Sequence, residues 1–319
     1  VLRELTDGAG FCCGQDADSE GVEGKYYTFT EAEMKEVLGE EDGKEFAAWF
    51  GIRGTGKLGD AIPNLIENTE FETFNPRIAG MCSKLLNYRK GRMKLHRDDK
   101  ILTSWNGLMI AALAKAYIVL GDTYYLSAAE RAQTFLEEKL TEPDGRLRVR
   151  FREGHVTGRG TLEDYAFTGF GLLELYRATF DVSYLERLLQ ISRFMVNLFG
   201  DEEGGGLYFY ASDAEKLLTR PKEVYDGALP SGNSMAAYIF IQLEHLTGET
   251  VWAEQSSRQL KFLAGRIRDY PAGYSFSLLS MLEELYAYRD LVCTAQSMEE
   301  IEPLKEKLRE SWCGNLAAL

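Results

Sequence analysis

Three stretches of the chain repeat one pattern of apolar and polar positions: residues 112–140 (ALAKAYIVLGDTYYLSAAERAQTFLEEKL), 171–199 (GLLELYRATFDVSYLERLLQISRFMVNLF) and 238–267 (YIFIQLEHLTGETVWAEQSSRQLKFLAGRI). In each, an apolar-striped helix runs to a short turn carrying an acid, Asp122, Asp181 or Glu249, and a second helix then reaches a phenylalanine, Phe135, Phe194 or Phe262. The acid and the phenylalanine are 13 residues apart every time. A repeat of this length is one antiparallel helix hairpin plus a return loop.

The first helix of the first hairpin has Trp105, Leu108, Met109, Ala112, Ala116 and Leu120 at three- and four-residue steps, which predicts a buried inner helix along that stripe. The second helix carries Glu130, Arg131, Glu137, Glu138 and Lys139, which suits an outer position. Alternating inner and outer helices make a curved all-α array or a closed ring. Further helices are predicted over 30–39, 41–51 and 274–289, and short strands over 10–14, 25–29, 146–151 and 206–210. Beyond Arg289 the order strand, helix, strand reads as the start of an α/β element, so the domains predicted are 1–290 and 291–319.

Inner helices of such an array run parallel, and their N-termini therefore meet at one end. Polar clusters stand at these starts: residues 15–21, 96–107, 161–166 and 224–234. Asp98, Glu163, Asp164 and Asp226 are the candidate acid and base carboxylates, while Asp16, Asp18, Asp99, Trp105, Asn106, Tyr165, Tyr225 and Asn233 are the candidate ligand-holding residues. Carboxylates beside flat aromatic faces are what a carbohydrate cleft uses, the rings stacking on sugar C–H faces and a carboxyl pair acting as acid and base. Helix starts also ask for these residue types as caps. Thr161 with Asp164 makes a capping box, and Thr103 or Ser104 and Ser231 or Asn233 are ordinary N-caps.

Charge narrows the partner. Fifty acidic against 36 basic residues give a net charge of -14, which repels nucleic acid and anionic membrane surfaces and favours a neutral or cationic small molecule. No run approaches the roughly eighteen consecutive apolar residues of a membrane span, and the first residues lack a signal peptide's basic and apolar regions. Five cysteines without a C-x-x-C pair support neither a disulfide framework nor zinc, and a reduced, cytoplasmic chain is expected. Of three histidines only His96 lies near a candidate cluster, too few for a two-histidine mechanism. Gly54 to Gly59 matches G-x-G-x-x-G but follows a helix, with Pro63 close behind, and is set aside as a nucleotide motif. Asp16, Asp18 and Glu20 match half an EF-hand loop, whose closing position is Tyr27. No metal and no cofactor is expected.

Four motifs in order carry a resemblance: DADSEGVEGKYY (16–27), DDKILTSWNGLMIAALA (98–114), LEDYAF (162–167) and DGALPSGNS (226–234). The chain resembles the bacterial YyaL-like proteins from its first residues to about Arg289. The resemblance implies a thioredoxin-like domain upstream, followed by an (α/α)6 toroid similar to six-hairpin glycosidases and N-acylglucosamine 2-epimerases. It places Asp16, Asp18, Glu20, Asp98, Asp99, Trp105, Asn106, Glu163, Asp164, Tyr165, Asp226, Ser231 and Asn233 within the family's signature motifs. Since Val1 reads as the tail of a helix, the toroid is expected to be incomplete, with an apolar edge covered by a homodimer partner or by a missing N-terminal segment. Two functions follow: a carbohydrate-active hydrolase- or epimerase-like site, or a non-catalytic helical module binding a ligand or partner.

Overall fold

The computed structural model describes residues 1–54, 61–63, 76–215, 217–286, 289–310 and 316–318. In chain order the elements are β1 (Thr6–Asp7), β2 (Gly10–Gln15), β3 (Asp18–Ser19), β4 (Val22–Glu23), α1 (Glu31–Leu38), α2 (Glu40–Trp49), α3 (Pro76–Lys90), β5 (Arg97–Leu102), α4 (Thr103–Leu120) and α5 (Thr123–Leu140). There follow β6 (Arg148–Arg152), β7 (His155–Arg159), α6 (Leu162–Thr179), α7 (Val182–Phe199), α8 (Gly232–Thr247), α9 (Thr250–Ile267), α10 (Ser275–Leu285), β8 (Arg289–Leu291), α11 (Glu302–Glu310) and β9 (Leu316–Ala318). The chain forms two compact units, one of residues 1–13 and 99–319, the other of residues 14–98. This division differs from the boundary expected near residue 290. Except for Gly54, the glycine run at 54–59 lies outside the described residues.

The larger unit is an all-α array of antiparallel (α/α) hairpins. Helices α4–α5, α6–α7 and α8–α9 are the three repeats, and the inner helices pack in the order α4, α6, α8, α10. Two of the three turn acids cap their outer helices through the side chain, Asp122 accepting from Tyr124 N and Asp181 from Ser183 N, which satisfies donors that a helix start leaves orphaned, whereas Glu249 makes no such bond. The repeated phenylalanines pack on three different elements, Phe135 edge-on to Phe151 of β6, Phe194 to Tyr165 of α6, and Phe262 beneath the Lys222 ammonium in the loop before α8. At the far ends of the inner helices a polar belt crosses the array. Buried Glu174 on α6 pairs with Lys115 of α4 and Arg177, which also donates to Tyr238 and Gln242 of α8, and Gln242 donates to Glu283 of α10. Such belts fix register along neighbouring helices.

On α4 the buried face differs from the predicted stripe. Trp105, Ala112 and Leu120 are exposed, whereas Asn106, Gly107, Ile110, Ala111, Leu113 and Ala114 are buried. The cause is close backbone approach. A Cβ on Gly107 would lie 2.5 Å from the Phe167 carbonyl carbon and oxygen, and one on Gly171 would lie 2.9 Å from the Gly107 oxygen. The small-residue face thus meets α6, and the bulky stripe turns away. By length and composition α4 could cross a membrane, but half of it is buried among its neighbours.

Two predicted strands take other forms. Residues 25–27 form turns and 28–29 are irregular, because the carbonyls of Lys25, Tyr26 and Thr28 are all taken by the Arg92 guanidinium, which also pairs with Glu33 and lies over the Phe29 ring. Residues 206–210 make one bridge, Leu207 with Gly200, since Leu207 N is claimed by Asn233 and Phe209 N by Pro221 O. The other two runs lie in β2 and β6 of a five-stranded sheet of order β1-β2-β5-β6-β7. The smaller unit packs α1, α2 and α3 around Phe29, Met34, Phe46, Ile78 and Met81, with a Thr30–Glu33 capping box opening α1. The C-terminal segment is a β8–α11–β9 unit with parallel strands.

Gly107→Ala is expected to lower the stability of the chain by about 2 kcal/mol or more, because the new methyl meets α6 backbone that cannot rotate away. Urea unfolding measures it, and a loss below about 0.5 kcal/mol would mean that α4 and α6 can part at no cost.

A candidate site at the starts of the inner helices

The starts of α4, α6, α8 and α10 lie at one end of the array, and two buried carboxylates hold them there. Asp164, in the first turn of α6, accepts from Thr161 N at 2.8 Å and Thr161 Oγ1 at 3.0 Å, completing the capping box, and from Ser104 N of α4 at 3.1 Å. No side chain of its own caps α4; the carboxylate of α6 does so. Asp226, in the loop before α8, accepts from Ser231 N at 2.8 Å and from Phe276 N and Ser277 N of α10 at 2.9 and 3.0 Å. Ser231 caps α8 by accepting from Ser234 N. A hydroxyl chain of Ser231, Ser234 and Ser277 ties α8 to α10.

Three more candidates anchor the backbone of neighbouring segments. Asn106 accepts from Phe11 N at 2.8 Å and donates to Phe11 O at 2.9 Å, while Asn233 makes the same pair of bonds with Leu207 at 2.8 and 2.9 Å. Each amide thus satisfies both backbone groups of one residue, as a neighbouring strand would. Tyr165 accepts from Leu147 N through its hydroxyl. All three are buried. Asp99 pairs with Arg152 at 2.7 Å. Asp16, Asp18 and Asp98 belong to the smaller unit, where Asp16 and Asp18 are exposed beside the β3–β4 hairpin and Asp16 N donates to His96 O. Among the described residues no group of three His, Cys, Asp or Glu side chains could hold a metal ion.

Three candidates at this end take no part in the stitching. Trp105 is 46% and Tyr225 58% exposed. Glu163 is half-buried, and burial, followed by the nearby charge of Glu223, pushes its carboxyl above the usual range. Glu223 is a residue that sequence reasoning missed. It lies outside every motif, and only its position two residues before Tyr225 could have drawn attention to it.

No family model matches the chain. The chain is similar to spermatogenesis-associated protein 20. The rat protein is 31% identical over 85% of this chain and 40% of its own length, the human protein 29% over 85% and 40%, and an uncharacterized protein of Caenorhabditis elegans 25% over 82% and 41%. The chain therefore spans about two fifths of the length of the curated relatives it matches. Among solved structures, cellobiose 2-epimerase from Bacillus thermoamylovorans gives a TM-score of 0.45 at 17% identity, covering 53% of this chain and 45% of that one. An inactive variant of an α-1,6-mannanase from Salegentibacter gives 0.44 at 16%, covering 81% and 65%.

Burial pushes the Asp164 carboxyl up to about 7, against the pull of its Thr161 and Ser104 donors and with a further push from Glu163. The folded chain then holds a proton on Asp164 that the unfolded chain releases near 3.8. Stability from this group is full below that value and is lost as pH rises to about 7. The difference in unfolding free energy between the parent chain and Asp164→Asn is expected to fall across that window. An unchanged difference from pH 4 to 7 would show Asp164 ionised throughout.

Proposed function

We propose that the end of the array where the inner helices begin binds a neutral, sugar-like ligand, and that Glu163 is the proton-donating carboxyl of a hydrolase- or epimerase-type reaction there. The observation that carries this reading is the combination at one end of exposed Trp105 and Tyr225 rings with Glu163, the motif carboxyl not spent on joining helix starts. Flat aromatic faces offer stacking area for the C–H face of a pyranose. A carboxyl raised above its usual range by burial and by the neighbouring charge of Glu223 is suited to giving a proton to a glycosidic or ring oxygen, and Glu223 beside it is our candidate for the base. The net charge of -14 favours neutral over anionic sugars.

The non-catalytic reading has its own support. Asp164 and Asp226 each take three donors, so neither is available to a substrate without undoing a helix junction. Under that reading the rings bind a ligand that is not turned over.

The two separate in one set of measurements. Neutral disaccharides titrated against the chain should quench tryptophan fluorescence, and Trp105→Ala should weaken binding by about tenfold or more, the usual worth of one stacked ring. Glu163→Gln should leave that affinity nearly intact while abolishing hydrolysis or epimerisation followed by NMR. Binding with no turnover in the parent chain would select the non-catalytic module, and no binding at millimolar sugar would remove both.

A further inference from the structure

The three hairpins close their inner helices alike, with one residue in the left-handed region: Gly121 at φ 72°, Phe180 at φ 60° and Gly248 at φ 67°. Glycine enters that region freely, whereas a bulky residue there is an outlier that its surroundings must hold in place. The repeat therefore shows what the turn asks for, and the second hairpin departs from it. Among the described residues the two other non-glycine residues at positive φ, Glu20 and Glu153, each precede a glycine in a strand turn.

What the phenylalanine gains is a place in a cavity. The β8–α11–β9 unit sits over the end of α6, held by Tyr176 Oη donating to Ala318 O and by Arg309 donating to Tyr117 Oη. Between the two lies a cavity of about 370 Å³ whose apolar wall includes Phe180, Leu291, Ile301, Leu304 and Leu308. That volume falls within the roughly 300–1,000 Å³ of small-molecule sites. Lys305 also lines it, its side chain only 11% exposed and its ammonium 5.8 Å from the Phe180 ring centre. It pairs with Glu302 at 2.7 Å, a carboxylate that is half exposed and can swing into water at little cost. An apolar chamber with one desolvated cation and an exchangeable counter-ion suits a ligand with both features.

We propose that this cavity binds a small amphiphile, an apolar chain or ring against Phe180, Leu304 and Leu308 with an acidic head group replacing Glu302 on Lys305. The site is separate from the starts of the inner helices and independent of any activity there. Cys293, an exposed free thiol in the cavity lining, reports occupancy.

The test uses octanoate as the probe and follows alkylation of Cys293 by iodoacetamide, resolved from the other cysteines by peptide mass spectrometry. Saturating octanoate should slow that alkylation by about tenfold, as a ligand over the thiol would. Phe180→Gly, which restores the glycine of the other hairpins, and Leu304→Trp, which fills the chamber, should each abolish protection in protein that still unfolds cooperatively. Lys305→Met should weaken octanoate about tenfold, the usual worth of a charge-assisted contact, with octanol little affected. Absence of protection in the parent chain, or protection that survives both Phe180→Gly and Leu304→Trp, would overturn the proposal.

Discussion

The array depends on how the backbone donors at the starts of its inner helices are satisfied. Four such helices beginning side by side bring many orphaned N–H groups into a region closed to water, where each unmet donor costs about 1–3 kcal/mol. Asp164 and Asp226 meet that demand across helix boundaries. One carboxylate serves α6 and α4, the other α8 and α10, so each caps its own segment and fixes a neighbour's height and distance. Cross-capping of this kind explains how α4 can begin at Thr103 directly after a strand with no cap of its own.

Neighbouring segments are joined to this frame by a second recurring device. The side-chain amides of Asn106 and Asn233 both take the N–H and C=O of a single buried residue, Phe11 of β2 or Leu207 of the loop before α8, in nearly identical geometry. Gln259 then donates to Asn233, so the outer helix α9 is held to the same point. Aspartate could not replace either asparagine, because the carbonyl of Phe11 or Leu207 would face an acceptor. The helix starts therefore combine two separate requirements, carboxylates for N–H groups of neighbouring helices and amides for complete peptide groups.

The hairpins were legible because their evidence is local: a 3.6-residue apolar period, an acid at the turn and a fixed spacing to a phenylalanine. That the starts of α4, α6 and α8 share one end of the array was legible too, since inner helices that run parallel leave no other arrangement for them. Three features were not. The buried face of α4 depended on Gly107 meeting α6 backbone, a fact about two helices rather than one. The turns at 25–27 depended on Arg92, more than sixty residues later. The work of Asp164 and Asp226 was masked because a cap and a catalytic acid want the same residue type at a helix start; burial and donor count separate them, and neither is written in the local sequence.

Spending these carboxylates on architecture also shapes the chemistry open to this end of the molecule. Glu163 and Asp164 are adjacent, yet their side chains leave the helix in directions about a hundred degrees apart, so one is directed into the junction with α4 and the other is not. The fixed neighbour does more than hold the frame. Below about pH 7 a proton retained on Asp164 keeps it neutral, and its ionisation above that would add a second negative charge beside Glu163 and raise that carboxyl further. The acid strength of the accessible residue is thereby coupled to the protonation of the buried one, and through it to the junction of α4 with α6. Any proton transfer at Glu163 would therefore respond to changes in helix packing that never touch the ligand.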